Sequence, residues 1–305
     1  MAIASYALFP FLIVAITTFA SVGSGIDAAS WFGFDPKVNF GLVTFLAVLI
    51  FYPTVAGLER LFPYRREWNR EQGDSRTDAL HLIITGPVSA SLADATMRAV
   101  TVGAATWLAE EFGGTLWPTS LPIGVQMYLA ILVGEFGHYW FHRLSHERPL
   151  LWRLHAVHHS APRLYWLNAT RFHPLDLFCL GFCQTAPLVL LGAPPRTFLA
   201  YALFQAVYGQ LQHGNIELRT GFLDRFFSTP CLHRFHHSTD LREGNTNYGA
   251  ILIFWDLLFR SFFRPDSRGF EGPVGIGDMR RFPQGYLAQL AAPFRWAQLR
   301  RENKQ

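Results

Sequence analysis

The chain has 305 residues, half of them hydrophobic and 15% aromatic, with 16% charged where a soluble domain carries about 25%. With three Cys, no Gly-x-y period and no sustained heptad, the composition excludes disulfide-stapled, collagen-like, coiled-coil and disordered chains and points to a bilayer. The net charge of +4 is almost all arginine, crowded at Arg60, Arg65, Arg66, Arg70 and Arg76 and again at Arg300-Arg301; that is the pattern of a cytoplasmic membrane face, and no basic helix or aromatic RNA-binding motif supports nucleic acid.

Residues 5–25 and 38–58 carry no charge, and at 1.5 Å per residue each spans a hydrocarbon core of about 30 Å. The first lacks the basic start of a cleaved signal peptide and reads as an anchor. Residues 79–97 form a weaker third span carrying Asp94, and residues 121–141 a fourth. Residues 175–191 and 197–212 form a fifth and a sixth, turned back on each other at Gly192-Ala193-Pro194-Pro195. Residues 249–263 are apolar but short, as an interfacial segment would be. The predicted fold is all-α, a polytopic membrane helical bundle of about four to six transmembrane helices. If the Arg-rich loop 59–78 is cytoplasmic, the polar residues from Phe141 to Arg171 and from His213 onward share that face, giving a cytoplasmic histidine-rich cap. Cys179, Cys183 and Cys231 have no zinc or redox spacing and receive no role.

Eleven of the twelve histidines lie between His138 and His237. His142 and His146 are four apart, which stacks them on one helix face; His155, His158 and His159 repeat the spacing at i, i+3 and i+4, as do His233, His236 and His237. A lone buried His usually serves packing, but three such clusters gain nothing from packing over Leu. Neutral imidazole is a common ligand of transition metals, and eight to ten of them exceed one coordination sphere, so two metal ions are implied. The spacing does not choose among Fe, Zn, Mn and Cu. H-E-x-x-H, which an intramembrane zinc protease needs, is absent from the sequence.

The runs His142-Arg143-Leu144-Ser145-His146, Leu151-Trp152-Arg153-Leu154-His155-Ala156-Val157-His158-His159-Ser160 and His233-Arg234-Phe235-His236-His237-Ser238 are followed by Asn247-Tyr248-Gly249 and Trp255-Asp256. Together they resemble the fatty acid hydroxylase superfamily, sterol desaturase branch, over roughly residues 120 to 265. The resemblance implies an integral-membrane, O2-dependent, non-haem di-iron enzyme that hydroxylates or desaturates a lipid, with zinc able to replace iron in purified protein. It makes His142, His146, His155, His158, His159, His233, His236 and His237 the catalytic metal-binding set. Arg171-Phe172-His173-Pro174 and His213-Gly214-Asn215 resemble two further family positions. They flank the fifth-to-sixth hairpin, whose free ends must reach the same depth, and this adds His173 and His213 as expected ligands. His138, one turn before His142, is either a ligand or a partner to a neighbouring helix; His81 reads as structural. The chain then divides into 1–120 with the N-terminal membrane helices and basic loop, 121–265 as the catalytic region, and 266–305 as a cytoplasmic tail.

No haem, flavin or dinucleotide motif is found in the sequence, so electrons are expected from an external ferredoxin, cytochrome or reductase. A basic surface of Arg143, Arg153, Arg234 and Arg242 would steer an acidic carrier. Asp176, Asp240, Asn215, Asn245 and Asn247 could orient imidazoles, or cap helices and turns. Trp140, Phe178, Phe182, Phe204 and Tyr208 either line a lipid channel or pack helices. Two other classes compete: a bis-histidine haem protein, and a metal transporter, which would hold its ligands near the bilayer midplane. Hydroxylation and desaturation start alike, and sterol, fatty acyl, glycerol ether and amino-acid-containing lipids remain open as substrates.

Overall fold

Uninterrupted apolar sequence with no charge to place favours long helices that satisfy their own backbone. A computed structural model describes residues 2–31, 35, 39–265 and 269–304. Residue 38, which opens the second expected span, and residues 266–268, where the expected tail begins, lie outside the described residues. Among the described residues there is no β-strand; three isolated bridges, such as Pro63 to Ile216, are the nearest approach.

The N-terminal stretches form α1 (Ala2–Gly23) and α2 (Asn39–Leu61). These two are long and apolar enough to cross a membrane, with mean hydropathies of 1.8 and 2.0, and they turn Phe11, Val14, Phe45, Leu49 and Ile50 outward. The third expected span is instead broken: Ser75–Leu80 runs through a π-helical turn at His81–Thr85 into α3 (Gly86–Val100), and a separate α4 (Val102–Glu111) follows. The fourth is α5 (Ile123–Glu147), which carries Glu135, Arg143 and Glu147 in addition to its histidines. The hairpin is α7 (Pro174–Leu190) and α8 (Pro195–His213), with α6 (Pro149–His159) between α5 and α7. The 249–263 segment contains only a short helix, Phe254–Leu258, with Phe254 and Leu258 exposed.

Helix α8 sits at the centre, against α1 and α2 on one side and α5 on the other, and α5 packs on α7, which packs on α3. Met127, Ile131, Leu203, Phe204 and Tyr208 fill the core. Phe204 and Tyr208 stack on each other with ring centroids 5.6 Å apart, so these two of the channel candidates are packing residues. The crossing of α5 and α7 depends on Gly137, where a Cβ would lie 2.0 Å from the Cys183 carbonyl oxygen.

Proline corners decide where the histidines go. Arg148 precedes Pro149 and is held extended (φ −111°, ψ 117°), because the proline ring disfavours the helical region for the residue before it. Helix α5 must therefore end, and α6 restarts with Pro149 in its first turn. The same device opens α9 (Pro230–His236), where the Thr229 hydroxyl accepts the Leu232 N–H at 3.4 Å. Each short histidine-bearing helix is thereby folded back over the end of α5.

The C-terminal tail packs on the rest of the fold. Helices α10 (Tyr286–Ala291) and α11 (Trp296–Glu302) close over α6, with Trp296 and Leu299 clustered against Ala156 and Val157. Ala292, Trp296 and Leu299 are buried in one apolar cluster with Ala156 and Val157, and that burial holds the segment down.

Candidate metal centre

Nine histidines converge where α5, α6, α8 and α9 meet. One ligand nitrogen from each of His142, His146, His155, His159 and His236 lies within 4.8 Å of the others, and the same holds for His158, His213, His233 and His237. Nitrogens on a single ion, each about 2.1 Å from it, are separated by at most about 4.2 Å, so either group closes on one ion with small side-chain shifts.

Helical geometry explains this division. Residues four apart differ by about 40° around a helix, whereas adjacent residues differ by about 100°. His155 and His159 thus point one way and His158 another; His233 and His237 pair likewise, leaving His236 to the other side. Each H-x-x-H-H run gives its i, i+4 pair to one group and its remaining imidazole to the other. His142 and His146 complete the first group, and His213, the last residue of α8, completes the second.

The hydrogen bonds define which nitrogen is free. In the first group Nδ1 of His142 donates to the Tyr248 carbonyl at 2.6 Å, that of His146 to Asn245 Oδ1 at 3.1 Å, that of His155 to Asp176 Oδ2 at 2.9 Å and that of His236 to the Thr246 carbonyl at 2.8 Å. With the proton on Nδ1, the Nε2 lone pair is unengaged, and all five Nε2 atoms of this group are buried without a hydrogen-bond partner. Five orphaned acceptors facing one another are costly unless a cation joins them. In the second group His158 and His213 donate Nδ1–H to the Arg171 carbonyl (3.2 Å) and Asn168 Oδ1 (2.9 Å). Nε2 of His233 lies 2.9 Å from Nε2 of His213 and 3.0 Å from Nε2 of His237. One hydrogen can serve only one of those contacts, whereas a shared cation serves both, so the residues fit a metal in both groups.

Burial keeps these rings neutral, as ligands must be. It pushes the pKa of His142 down to about 4 and that of His213 to about 3; His155, His159, His233 and His237 lie well below the ordinary value, through burial first and neighbouring imidazoles second. Eight of the nine are buried, His146 being half-buried. Its exposed edge carries Trp152, whose ring centre is 5.3 Å from that of His146 and 5.5 Å from that of His159.

Three expectations change. His173 stands outside both groups as the N-cap of α7: its Nδ1 accepts the Leu175 N–H at 3.2 Å and its Nε2 donates to the Leu290 carbonyl at 3.2 Å. The His-Pro corner makes it a cap, and α10 uses its other nitrogen. His138 is also outside both groups, although its ring centre is 5.5 Å from that of His142 and its Nδ1 is buried without a partner. Arg234 is no surface residue: it is 2% exposed, lies over the Tyr64 ring at 3.7 Å and donates to the Gly214 and Ile216 carbonyls.

Among the carboxylates and amides singled out, Asp176 and Asn245 hold imidazoles, whereas Asn215 grips Arg65 and Asn69, Asp240 caps Leu241–Gly244, and Asn247 bonds Phe263. His81 is structural, bonded to Gln289 at 2.9 Å. Sequence reasoning missed Asn168, a lone loop residue with no telling spacing, and Phe172, stacked on His158 at 4.1 Å. It also missed the scaffold behind Tyr248: Asp256 accepts the N–H groups of Tyr248 and Gly249, both at 2.8 Å, and Glu135 accepts those of Ile251 and Leu252.

Among the described residues the protein is all-helical, with two helices of membrane length and two imidazole clusters at one end of the bundle, each able to hold a metal ion. Residues 127–261 match the family model described as Fatty acid hydroxylase. An ornithine lipid hydroxylase of Rhizobium tropici, OlsE, is 42% identical over 79% of this chain and 72% of its own length. An alkylglycerol monooxygenase of Danio rerio is 34% identical over 48% of this chain, which spans a third of that longer protein. A Delta(7)-sterol 5(6)-desaturase, erg3B, of Aspergillus fumigatus is 29% identical over 51% of this chain and 45% of its own length. No solved structure matches the chain. The chain belongs to the fatty acid hydroxylase family and is an oxidoreductase of that family.

Proposed function

We propose that the protein is a multi-pass membrane hydroxylase that inserts oxygen from O2 into an unactivated C–H bond of a lipid, with two iron ions held by the nine clustered histidines on the cytoplasmic side. The observation that carries this reading is the set of five buried Nε2 atoms without partners, four of their rings fixed through Nδ1. When bound, the iron pair supplies the redox chemistry of oxygen activation. His142, His146, His155, His159 and His236 would hold one ion and His158, His213, His233 and His237 the other. Asp176, Asn245, Asn168 and the carbonyls of Tyr248, Thr246 and Arg171 keep six of the nine rings in the tautomer that offers Nε2, and the docked C-terminal helices help exclude water. Residues 121–265 form the catalytic region in this reading, and electrons come from an external one-electron carrier.

Hydroxylation is preferred to desaturation because OlsE, which matches 79% of this chain, is an ornithine lipid hydroxylase, and that makes an amino-acid-containing lipid the first substrate to test. The experiment is lipid mass spectrometry of membranes that contain ornithine lipid, with the wild-type chain or His142→Ala expressed. A species 16 mass units heavier that depends on the wild-type chain and O2 supports the reading. Loss of two mass units would make the enzyme a desaturase, and no change on supply of a reductase would refute both.

A further inference from the structure

The basic segment after α2 walls a cleft of about 360 Å³ whose lining includes Glu59, Arg60, Arg163, Tyr165 and Trp166. Glu59 sits in the last turn of a membrane-length helix, the depth at which lipid headgroups lie in the reading above, and it is 3% exposed. Its Oε1 accepts the backbone N–H groups of Trp166 at 2.7 Å and Asn215 at 2.9 Å. No donor of the described chain reaches Oε2. With Oε1 taken by two backbone N–H groups, Oε2 is left to the cleft that Glu59 lines, where a cationic or N–H partner can reach it.

The nearby cation does not supply one. Arg163 spends Nε and Nη2 on Asp74 at 2.9 and 2.7 Å and Nη1 on the carbonyls of Trp68 and Arg70, and its guanidinium lies 4.0 Å from the Tyr165 ring centre. Trp166 lines the same cleft half-buried, an aromatic wall of the kind that attracts ammonium groups. Arg60 stands exposed in the lining with no ion-pair partner among the described residues.

We propose that this cleft is the headgroup subsite for a zwitterionic lipid with a free primary ammonium. Glu59 Oε2 accepts from the ammonium, Trp166 walls it, and Arg60 takes the anionic group of the same headgroup, whether carboxylate or phosphate. The proposal rests on the lipid-oxidising reading and names its substrate class. The subsite also touches the metal centre. Asn215 is two residues from His213, at most about 7 Å of chain, and Trp166 is two residues from Asn168, the residue that holds His213. Glu59 thus grips both segments that position one ring of the second group.

The test uses detergent-solubilised full chain and short-chain probes: an ornithine lipid, the same lipid with its side-chain amine acetylated, and lysophosphatidylethanolamine. Binding measured by calorimetry is expected to favour the free-amine ornithine lipid over the acetylated form by about tenfold or more, since a buried charge-assisted hydrogen bond is lost. Glu59→Gln keeps the acceptor for the two backbone N–H groups and should erase that preference, with metal content and melting temperature unchanged. Trp166→Leu should weaken the preference and decides the matter if Glu59→Gln fails to fold. Equal binding of lysophosphatidylethanolamine shows that the ammonium dominates; weaker binding shows that Arg60 reads the carboxylate. Equal affinity of wild-type protein for the free and acetylated lipids, or an intact preference in Glu59→Gln and Trp166→Leu, overturns the subsite. Oxidation of both lipids at equal rates would sink the subsite and spare the hydroxylase reading, whereas selective binding without any oxidation would do the reverse.

Discussion

The two histidine groups share the H-x-x-H-H runs of α6 and α9 but are held differently. The first takes two i, i+4 pairs and a single ring, and four of its five Nδ1 atoms are fixed by a carboxylate, an amide and two carbonyls while every Nε2 remains unengaged. The second takes one pair and two single rings, relies on Asn168 and one carbonyl, and brings the Nε2 atoms of His213 and His237 against that of His233. One group is anchored from behind ring by ring; the other is held by convergence of α6, α8 and α9. The lesson is that an H-x-x-H-H run on a helix is a bridge between two groups rather than one ligand set, because its fourth and fifth positions face apart.

Removing a ring from either group should have the largest effect. His155→Ala and His233→Ala should each abolish product, with metal analysis showing loss of about one ion per chain in each case and retention of the other. Loss of both ions from either variant would mean that the groups fill as a unit and would break the comparison.

The anchors should separate the groups more finely. Asp176→Asn leaves His155 in place but weakens the acceptor for its Nδ1–H, and metal affinity of the first group should fall about 10- to 100-fold. Asn168→Ala should weaken the second group instead, with a stability loss of about 1–3 kcal/mol, because Asn168 also donates to the Arg163 carbonyl inside the fold. Competition titration with a chromogenic chelator reads each.

Acidification acts on both groups at once. Burial lowers the folded-state pKa of these rings below the unfolded value of about 6.5, so the unfolded chain binds more protons between about pH 4 and 6.5. Stability of metal-stripped protein should therefore be flat above pH 7 and fall as pH drops through 6.5. Thermal melts from pH 8 to pH 5 check the direction.

The smallest effect belongs to His173, which stands outside both groups as a helix cap. His173→Ala should keep both metals and near-normal turnover and cost about 1 kcal/mol of stability, the value of a helix cap.

How much of this was legible follows from the kind of signal each feature leaves. The i, i+3, i+4 spacing marks His155, His158 and His159 as chemistry without a structure, and the hairpin argument correctly brings His213 to the same end as the three runs. The same argument fails for His173, because equal depth does not fix direction and a His before Pro is also a good cap. The split of each run between two groups is implicit in helical angles but needs the placement of α9 to be seen. Backbone acceptors such as the Tyr248 and Thr246 carbonyls leave no trace in residue identity, and neither does the burial of Arg234, which composition alone reads as a surface charge. The docking of the C-terminal segment rests on scattered apolar residues such as Met279, Phe282 and Trp296, which form no period that the sequence could show.

The central claim is that the nine histidines make two separate metal sites, and counting metal per chain tests it most directly. Protein purified without oxygen from iron-supplied cells should hold about two transition-metal ions per chain, and zinc in place of iron would satisfy the count, since imidazole sites take zinc up readily. Fully active wild-type protein with one ion per chain, or with none, would contradict the account.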